Sequence, residues 1–296
     1  MRSRRGGSFI AAIALALDIG ATKLAASLVD LDGRILTRST RPTAPTHDGD
    51  ALFTRLVEAA READPGQQAN VCGVGCAGPM SARGVTVSPL NIPVWRNYPL
   101  HRRLTDALGL PVAIENDGKA LALGEGWTGG AIGITNYLAM VVSTGVGGGI
   151  VLDGRLLDGR LGNAGHIGHV IVVPHGRRCS CGGQGCLEAE VSGHAIEAMT
   201  GGPPSDAPME VRRRCGRLTG RAVASVANLL DLELALVGGS VALGYGDDFF
   251  SAAQSELEAL ARLPFSRGTA IRPVGLGADG PLTGAAAVAF QSLADR

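Results

Sequence analysis

Aromatic residues are scarce in this chain of 296 residues: two Trp, three Tyr and six Phe, 4% in all. A core must then be packed from small aliphatics, and a hydrophobic content of 45% supplies them. Net charge is missing too. Lys+Arg and Asp+Glu both number 27, so the basic stripe of a nucleic-acid binder is not expected. The one basic run, Arg212 to Arg214, reads as a solvated helix face. No apolar stretch reaches transmembrane length, so no membrane partner is expected. No G-x-x-x-x-G-K-[ST] occurs, which excludes a P-loop. "GVGCAG" at 73–78 has dinucleotide-type spacing, but Pro79 and the turn-like "MSARGV" follow where such a site opens a helix. That excludes a Rossmann site.

Cysteine is sparse for a secreted disulfide scaffold. Cys72, Cys76 and Cys215 lie among apolar or helical residues and read as buried thiols; a reducing cytoplasm is the expected location. The start, "MRSRRGGSFIAAIALALDIG", has a basic end, an apolar run from Phe9 to Leu17 and an Ala-x-Ala, as a signal peptide does. Cleavage after Ala16 would strip the strand leading into "DIGATK", so a buried first strand is the expectation.

What the chain does contain is an internal echo. "LDGRIL" at 31–36 returns as "LDGRLL" at 152–157, each after an apolar strand, a Gly-rich turn and a second apolar strand. Two similar lobes would bring both turns to one cleft, and the chain is long enough for two cores. Helix-like stretches cover 50–62, 100–108, 118–127, 210–230, 248–263 and 282–293; strand-like ones include 70–75, 112–115, 170–173 and 234–237. The pattern is α/β with mixed sheets.

Three Gly-rich turns end apolar strands. "DIGATK" sets Asp18 before Gly20, Ala21, Thr22 and Lys23; Gly lets backbone N–H groups approach phosphate oxygens, and Asp18 can hold a Mg²⁺-bound water. An ordinary hairpin with a solvated Asp is the plain alternative. "STGVGGG" at 143–149 is the stronger signal, since four glycines weaken a strand unless something must come close. "LVGGSVAL" at 236–243 offers a third turn, able to pass an adenosine. "AIENDGK" sets Asn116 and Asp117 where a strand becomes a helix. Both types cap helices, and an Asp so placed can accept a proton from an alcohol in phosphoryl transfer.

"AGHIGHVIVVPHGRRCSCGGQGCLE" puts three histidines and three cysteines between His166 and Cys186. Cys179, Cys181 and Cys186 with one upstream histidine make a Cys₃His set suited to tetrahedral Zn²⁺. The spacing leaves the choice of histidine open. A fully ligated zinc has no open position and is structural; free thiols are the plain alternative.

In order along the chain, "DIGATK", "END", "STGVGGG", "AGHIGH", "CSCGGQGCLE" and "LVGGS" resemble the ROK (repressor, open reading frame, kinase) family of sugar kinases over nearly the whole length. The resemblance implies an α/β, two-lobed actin/hexokinase-like ATPase fold, with ribonuclease H-like duplicated lobes and a zinc-binding loop. It implies an N-terminal lobe of residues 1–116, with a C-terminal helix about 282–296 packing back on it. A C-terminal lobe of 117–281 would carry the zinc loop and a dimerisation surface, giving a homodimer. It implies ATP and Mg²⁺, with polyphosphate the alternative donor, and a structural Zn²⁺. Asp18, Gly20, Ala21, Thr22 and Lys23 would form the first phosphate turn, and Thr144, Gly145, Val146, Gly147, Gly148 and Gly149 the second. Gly238, Gly239 and Ser240 would lie near adenosine. Asp117 would be the general base on the sugar 6-hydroxyl, Asn116 would bind a hydroxyl, and Gly78, Asn91, His166, His169 and Glu188 would line the sugar pocket. His169 would complete the zinc set.

Two positions depart from the family pattern. Ala21 stands for a usual Gly, which narrows the backbone angles expected there. His166 stands for the usual Glu of E-x-G-H, and the H-x-G-H form is similar to the family's bacterial N-acetylmannosamine kinases, whereas its glucokinases usually carry Glu. The expected activity is therefore ATP-dependent 6-phosphorylation of N-acetylmannosamine, with glucokinase or another hexose kinase as the alternative. The family's repressors carry a helix-turn-helix ahead of the first phosphate turn; with 17 residues before Asp18, that role is not expected. A sugar sensor without chemistry is disfavoured by Asp117 and both phosphate turns.

Overall fold

The computed structural model describes residues 12–43 and 46–294. The basic start, Phe9 to Ala11 of the apolar run and the last two residues of the chain fall outside them. The first half runs β1 (Ala14–Ile19), β2 (Lys23–Val29), β3 (Ser39–Pro42), α1 (Gly49–Ala63), β4 (Val71–Cys76), α2 (Leu100–Leu108) and β5 (Val112–Asn116). α3 (Asp117–Thr128) leads into β6 (Tyr137–Val142), β7 (Val146–Leu152), β8 (Arg155–Leu156), α4 (Leu187–Val191), α5 (Gly193–Thr200) and α6 (Met209–Leu230). β9 (Leu234–Gly238), α7 (Ser240–Tyr245), α8 (Asp247–Leu260), β10 (Ala270–Pro273) and α9 (Gly280–Ala294) complete the chain.

The echo read from the sequence is a duplicated sheet. The first has the order β3-β2-β1-β4-β5 and the second β10-β9-β6-β7-β8, the same order in reverse listing. In each, the first strand pairs antiparallel with the second across a Gly-rich turn and parallel with the fourth on its other side. The repeated hexapeptide turns the second strand back in both: Val29 bridges Ile35, and Val151 pairs with Leu156. β1 is buried along its length except at Asp18, as a first core strand must be. Each sheet has its own apolar core, one around Leu17, Leu56 and Trp95, the other around Leu138, Val223 and Phe249.

Two helices cross between the halves. α3 leaves the first sheet for the second, and α9 returns from the second to pack on β1 and β4. Their backbones touch, because a Cβ on Gly284 would lie 2.5 Å from the Ala120 carbonyl oxygen. Scarce aromatics and plentiful Gly and Ala permit such contact. At the far end of α3 the buried Glu125 carboxylate accepts N–H groups of Gly130 at 2.6 Å and of Gly275 and Leu276 at 3.0 Å. It ties the exit of α3 to the segment entering α9.

Several expectations need correction. Residues 170–173 form no strand: Ile171 makes a single bridge to Cys186, since Pro174 follows and the chain must fold back on itself. The helix expected to reach 263 ends at Leu260, ahead of Pro264, whose ring disfavours helical geometry in the residue before it. Arg214 is not a solvated charge, for its guanidinium meets the buried Glu190 at 2.5 Å. Gly147, Gly148 and Gly149 lie in β7, not in the turn; a Cβ on Gly149 would sit 2.5 Å from the Lys119 Cα, so glycine there lets α3 lie against the strand. The edge strands β3 and β10 and the short helices α4, α5 and α7 carry too little periodicity to be read.

Candidate active site

The junction of β5 and α3 is the centre of the site. Asn116 caps the helix, its Oδ1 accepting the Gly118 N–H at 3.0 Å, and Asp117 Oδ1 accepts the same N–H at 2.8 Å. The capping role foreseen for the pair is therefore present. Burial nonetheless raises the Asp117 carboxyl above the usual range; the N–H donors of Gly118 and of its own backbone oppose this, and the Glu188 charge adds to it.

Around Asp117 the expected residues converge. On one side Gly78 meets Asn116 and His166: a Cβ there would lie 3.2 Å from Asn116 Nδ2 and 3.4 Å from His166 Cε1. On another, Gly147 faces Asp117, its ideal Cβ position 3.8 Å from Oδ1. Glu188, in the first turn of α4, accepts the Val146 N–H at 2.9 Å. Gly145 lies between Glu188 and Asn91, 3.0 Å and 3.8 Å from its Cβ direction. The β6–β7 turn therefore stands against Glu188 and Asn91.

Asp18, paired in register with Gly75, faces Asp117 from the end of β1. Burial, with the Asp117 charge beside it, pushes its carboxyl up to about 7, while Lys23 works the other way. Its turn is closed by the Gly20 N–H to the Lys23 carbonyl at 3.0 Å. Ala21 has no positive φ, so the departure from Gly is accommodated without strain. Thr22 and Lys23 are exposed, and Thr144 is half-buried in the second turn. Gly239 has φ +95°, and a Cβ there would lie 2.3 Å from the Val142 carbonyl oxygen. Ser240 joins the third turn to the second through Ser143, Oγ to Oγ 3.0 Å.

His166 is half-buried, and burial, His169 and Lys119 hold its imidazole below its ordinary pKa against the pull of Glu188. In its neutral form the imidazole can donate one hydrogen bond and accept another. The rings of His166 and His169 lie 6.0 Å apart. His169 gathers with Cys179, Cys181 and Cys186, all four ligand atoms within 4.8 Å of one another; His166 and His175 stay outside. The 3.8 Å from Cys181 Sγ to Cys186 Sγ matches the S–S edge, about 3.8 Å, of a tetrahedron with Zn–S bonds of about 2.3 Å, and the 3.7 Å from Cys179 Sγ to His169 Nδ1 lies near the S–N edge of about 3.6 Å. The donor set fits zinc. Without a cation the thiols diverge: the Gly183 N–H lowers that of Cys181, while burial and the neighbouring sulfurs push that of Cys186 up to about 12.

Four contributors were missed in the sequence. Thr43 buttresses the first turn, donating from its backbone N–H to the Thr22 carbonyl and from Oγ1 to that of Gly20. Glu190 anchors α6 and accepts the Arg177 N–H. Asn163 binds Met80 through both backbone groups, N–H at 3.3 Å and carbonyl at 3.0 Å. Lys119 is fully buried. Only Lys119 had a signal: a lone cation two residues past Asp117 among Ala and Leu.

Duplicated five-stranded sheets meeting at a carboxylate between Gly-rich turns define a sugar-kinase-type fold. The chain belongs to the ROK family, whose family model matches residues 14–292. The glucokinase of Thermotoga maritima is 39% identical over 184 residues, 62% of this chain but 58% of that protein, so this match spans less than two thirds of its length. An N-acetylmannosamine kinase of Yersinia pseudotuberculosis is 36% identical over 84% of this chain and 91% of its own. Among solved structures, a ROK family glucokinase from Streptomyces griseus in complex with glucose and AMPPNP superposes with a TM-score of 0.83 at 31% identity, covering 94% of this chain and 99% of that one. Among the described residues no helix is long and apolar enough to cross a membrane.

Proposed function

We propose that the protein transfers the γ-phosphoryl group of ATP to the 6-hydroxyl of a hexose, and that N-acetylmannosamine is its preferred sugar. The observation that carries the reading is Asp117, raised in pKa at the head of α3, between the sugar-side group of Gly78, Asn116 and His166 and the phosphate-side turns of Asp18 and Gly145. Asp117 accepts the 6-hydroxyl proton as that oxygen bonds to phosphorus and the bond to ADP breaks; its raised pKa makes it the stronger base. Asn116, Asn91 and Glu188 hold the sugar hydroxyls, and positioning supplies most of the rate.

ATP with Mg²⁺ supplies the transferred group and neutralises its charge. Asp18 fits the metal: among the described residues it makes no ion pair, and its buried charge is relieved by a cation. His169, Cys179, Cys181 and Cys186 would hold a structural Zn²⁺, tying the turn after His166 to the start of α4 and so to Glu188. The expected assembly is a homodimer of two-lobed subunits, with the lobes meeting at residues 116 and 117.

His166 supports the amino sugar. A neutral imidazole pairs with the carbonyl and N–H of an acetamido group, where a carboxylate suits two hydroxyls. Glucose is the second reading, favoured by the higher identity of the glucokinase match and by the glucose complex of the Streptomyces griseus relative. A coupled assay of ADP release across hexoses and amino sugars tests both: kcat/KM is expected to be higher for N-acetylmannosamine than for glucose. The reverse order leaves the glucokinase reading, and no ADP with any sugar overturns the kinase.

A further inference from the structure

Lys119 is buried to 1% exposure on α3, yet it carries a charge that the phosphoryl transfer does not use. Its Nζ meets Asp158 Oδ1 at 2.7 Å, Glu115 Oε1 at 3.1 Å and the Gly162 carbonyl oxygen at 3.2 Å. Glu115 also accepts the Asn116 N–H at 2.8 Å, so it stands next to the helix cap of the site. Asp158 is the exposed partner, at 68%. A buried ammonium held by three oxygens fixes geometry more than it adds stability.

The geometry it fixes is the segment that delivers His166. Residues 158–165 contain Gly159, Gly162 and Gly165, all at positive φ, and within the segment one backbone bond, from the Ala164 N–H to the Asp158 carbonyl at 3.0 Å, closes the loop. The segment is pinned to the rest of the fold at three places. Lys119 holds its start at Asp158 and its middle at Gly162, and the next residue, Asn163, is bonded to Met80, just past the Gly78 that faces His166. His166 follows three residues later. Zinc ligation at His169 would restrain its far side only.

We propose that the Lys119–Asp158 pair is a tether that sets the position of His166 against the sugar, and with it the discrimination between N-acetylmannosamine and glucose. The inference rests on the sugar-kinase reading. Lys119 is a positioning residue and Asp158 its surface anchor; neither touches the transferred phosphoryl group.

Asp158→Asn tests this with little risk to folding, because Lys119 keeps Glu115 and the Gly162 carbonyl. The expected result is a KM for N-acetylmannosamine raised about tenfold, with kcat and the KM for ATP within about twofold, as for displaced binding groups rather than lost chemistry. The N-acetylmannosamine-to-glucose ratio of kcat/KM should fall by a similar factor, and Asp158→Glu should restore it. Trypsin provides a readout independent of catalysis, since exposed Arg160 lies inside the tethered segment. Cleavage after Arg160 should be several-fold faster in Asp158→Asn. Unchanged nicking, an unchanged sugar ratio, or equal loss of kcat on both sugars overturns the tether. Wild-type protein inactive on every sugar overturns the kinase reading instead, and the nicking rate still decides whether Lys119 restrains the segment.

Discussion

Asp18→Asn should make the protein more stable and less active at once, and the gain should depend on pH in a defined way. The Asp18 carboxyl is raised from 3.8 to about 7 in the folded chain. The folded state therefore holds a proton that the unfolded chain releases. Its contribution to stability is full below about 3.8 and is lost progressively as pH rises to about 7. Three pH units at 1.36 kcal/mol each set a ceiling of about 4 kcal/mol. Asp18 is only half-buried by surface, so solvent screening brings the usable figure to about 1–2 kcal/mol. At roughly 2–4 °C per kcal/mol, Asp18→Asn should melt about 2–8 °C above wild type at pH 8. The difference should shrink through pH 7 to 4 and vanish below it. Zinc loss in acid affects both proteins alike and cancels in the difference. Thermal melts from pH 4 to 8.5, with and without MgATP, measure it; MgATP should narrow the gap by stabilising wild type more. A gap equal at pH 4.5 and 8, or none at pH 8, refutes the placement of an unrelieved carboxylate at this turn.

Asp117→Asn should lower kcat by about 10²- to 10⁴-fold while sugar affinity, read by calorimetry, stays near wild type; near-normal turnover would leave Asp117 only a helix cap. Because the base works deprotonated and its pKa is raised, kcat/KM should fall with decreasing pH at a higher pH than an ordinary carboxylate gives, and this limb should vanish in Asp117→Asn. Purified protein should carry one zinc per chain by metal analysis, and Cys181→Ser should lose it, melt earlier and bind sugar weakly; zinc-free protein never exposed to chelator contradicts the assignment. His166→Glu should move the kcat/KM ratio toward glucose, and an unmoved ratio removes His166 from sugar choice.

The sequence exposes this fold where a short pattern dictates a local shape. Gly-rich turns ending apolar strands, the hexapeptide echo and Asn-Asp at a strand-to-helix junction all stand where expected, because each is a backbone requirement written in a few adjacent residues. The choice of His169 over His166 and His175 came from family likeness, since spacing alone fits any of them; in the fold a short 3₁₀ segment sets His169 beside the three thiols. The three glycines of β7 misled, because glycine needed for helix-on-strand contact and glycine needed for phosphate look alike in one dimension. Thr43, Asn163 and Asp158 were illegible for another reason. Each acts on a segment distant in sequence, and nothing in an isolated Thr, Asn or Asp announces its partner.

The glycine contact between α3 and α9, with the Glu125 clamp at its far end, has a mechanical consequence. Two rods touching backbone to backbone and tied at one end make a pivot, and the head of α3, which follows directly on β5, is the lever arm. From Glu125 to Asp117 that arm spans eight residues, about 12 Å at 1.5 Å per residue. A swing of about 10° about the clamp moves Asp117 by about 2 Å, enough to break a hydrogen bond to a sugar hydroxyl. Bulk added at Gly284 would part the two helices at Ala120, and it would do so about one helical turn from Asp117.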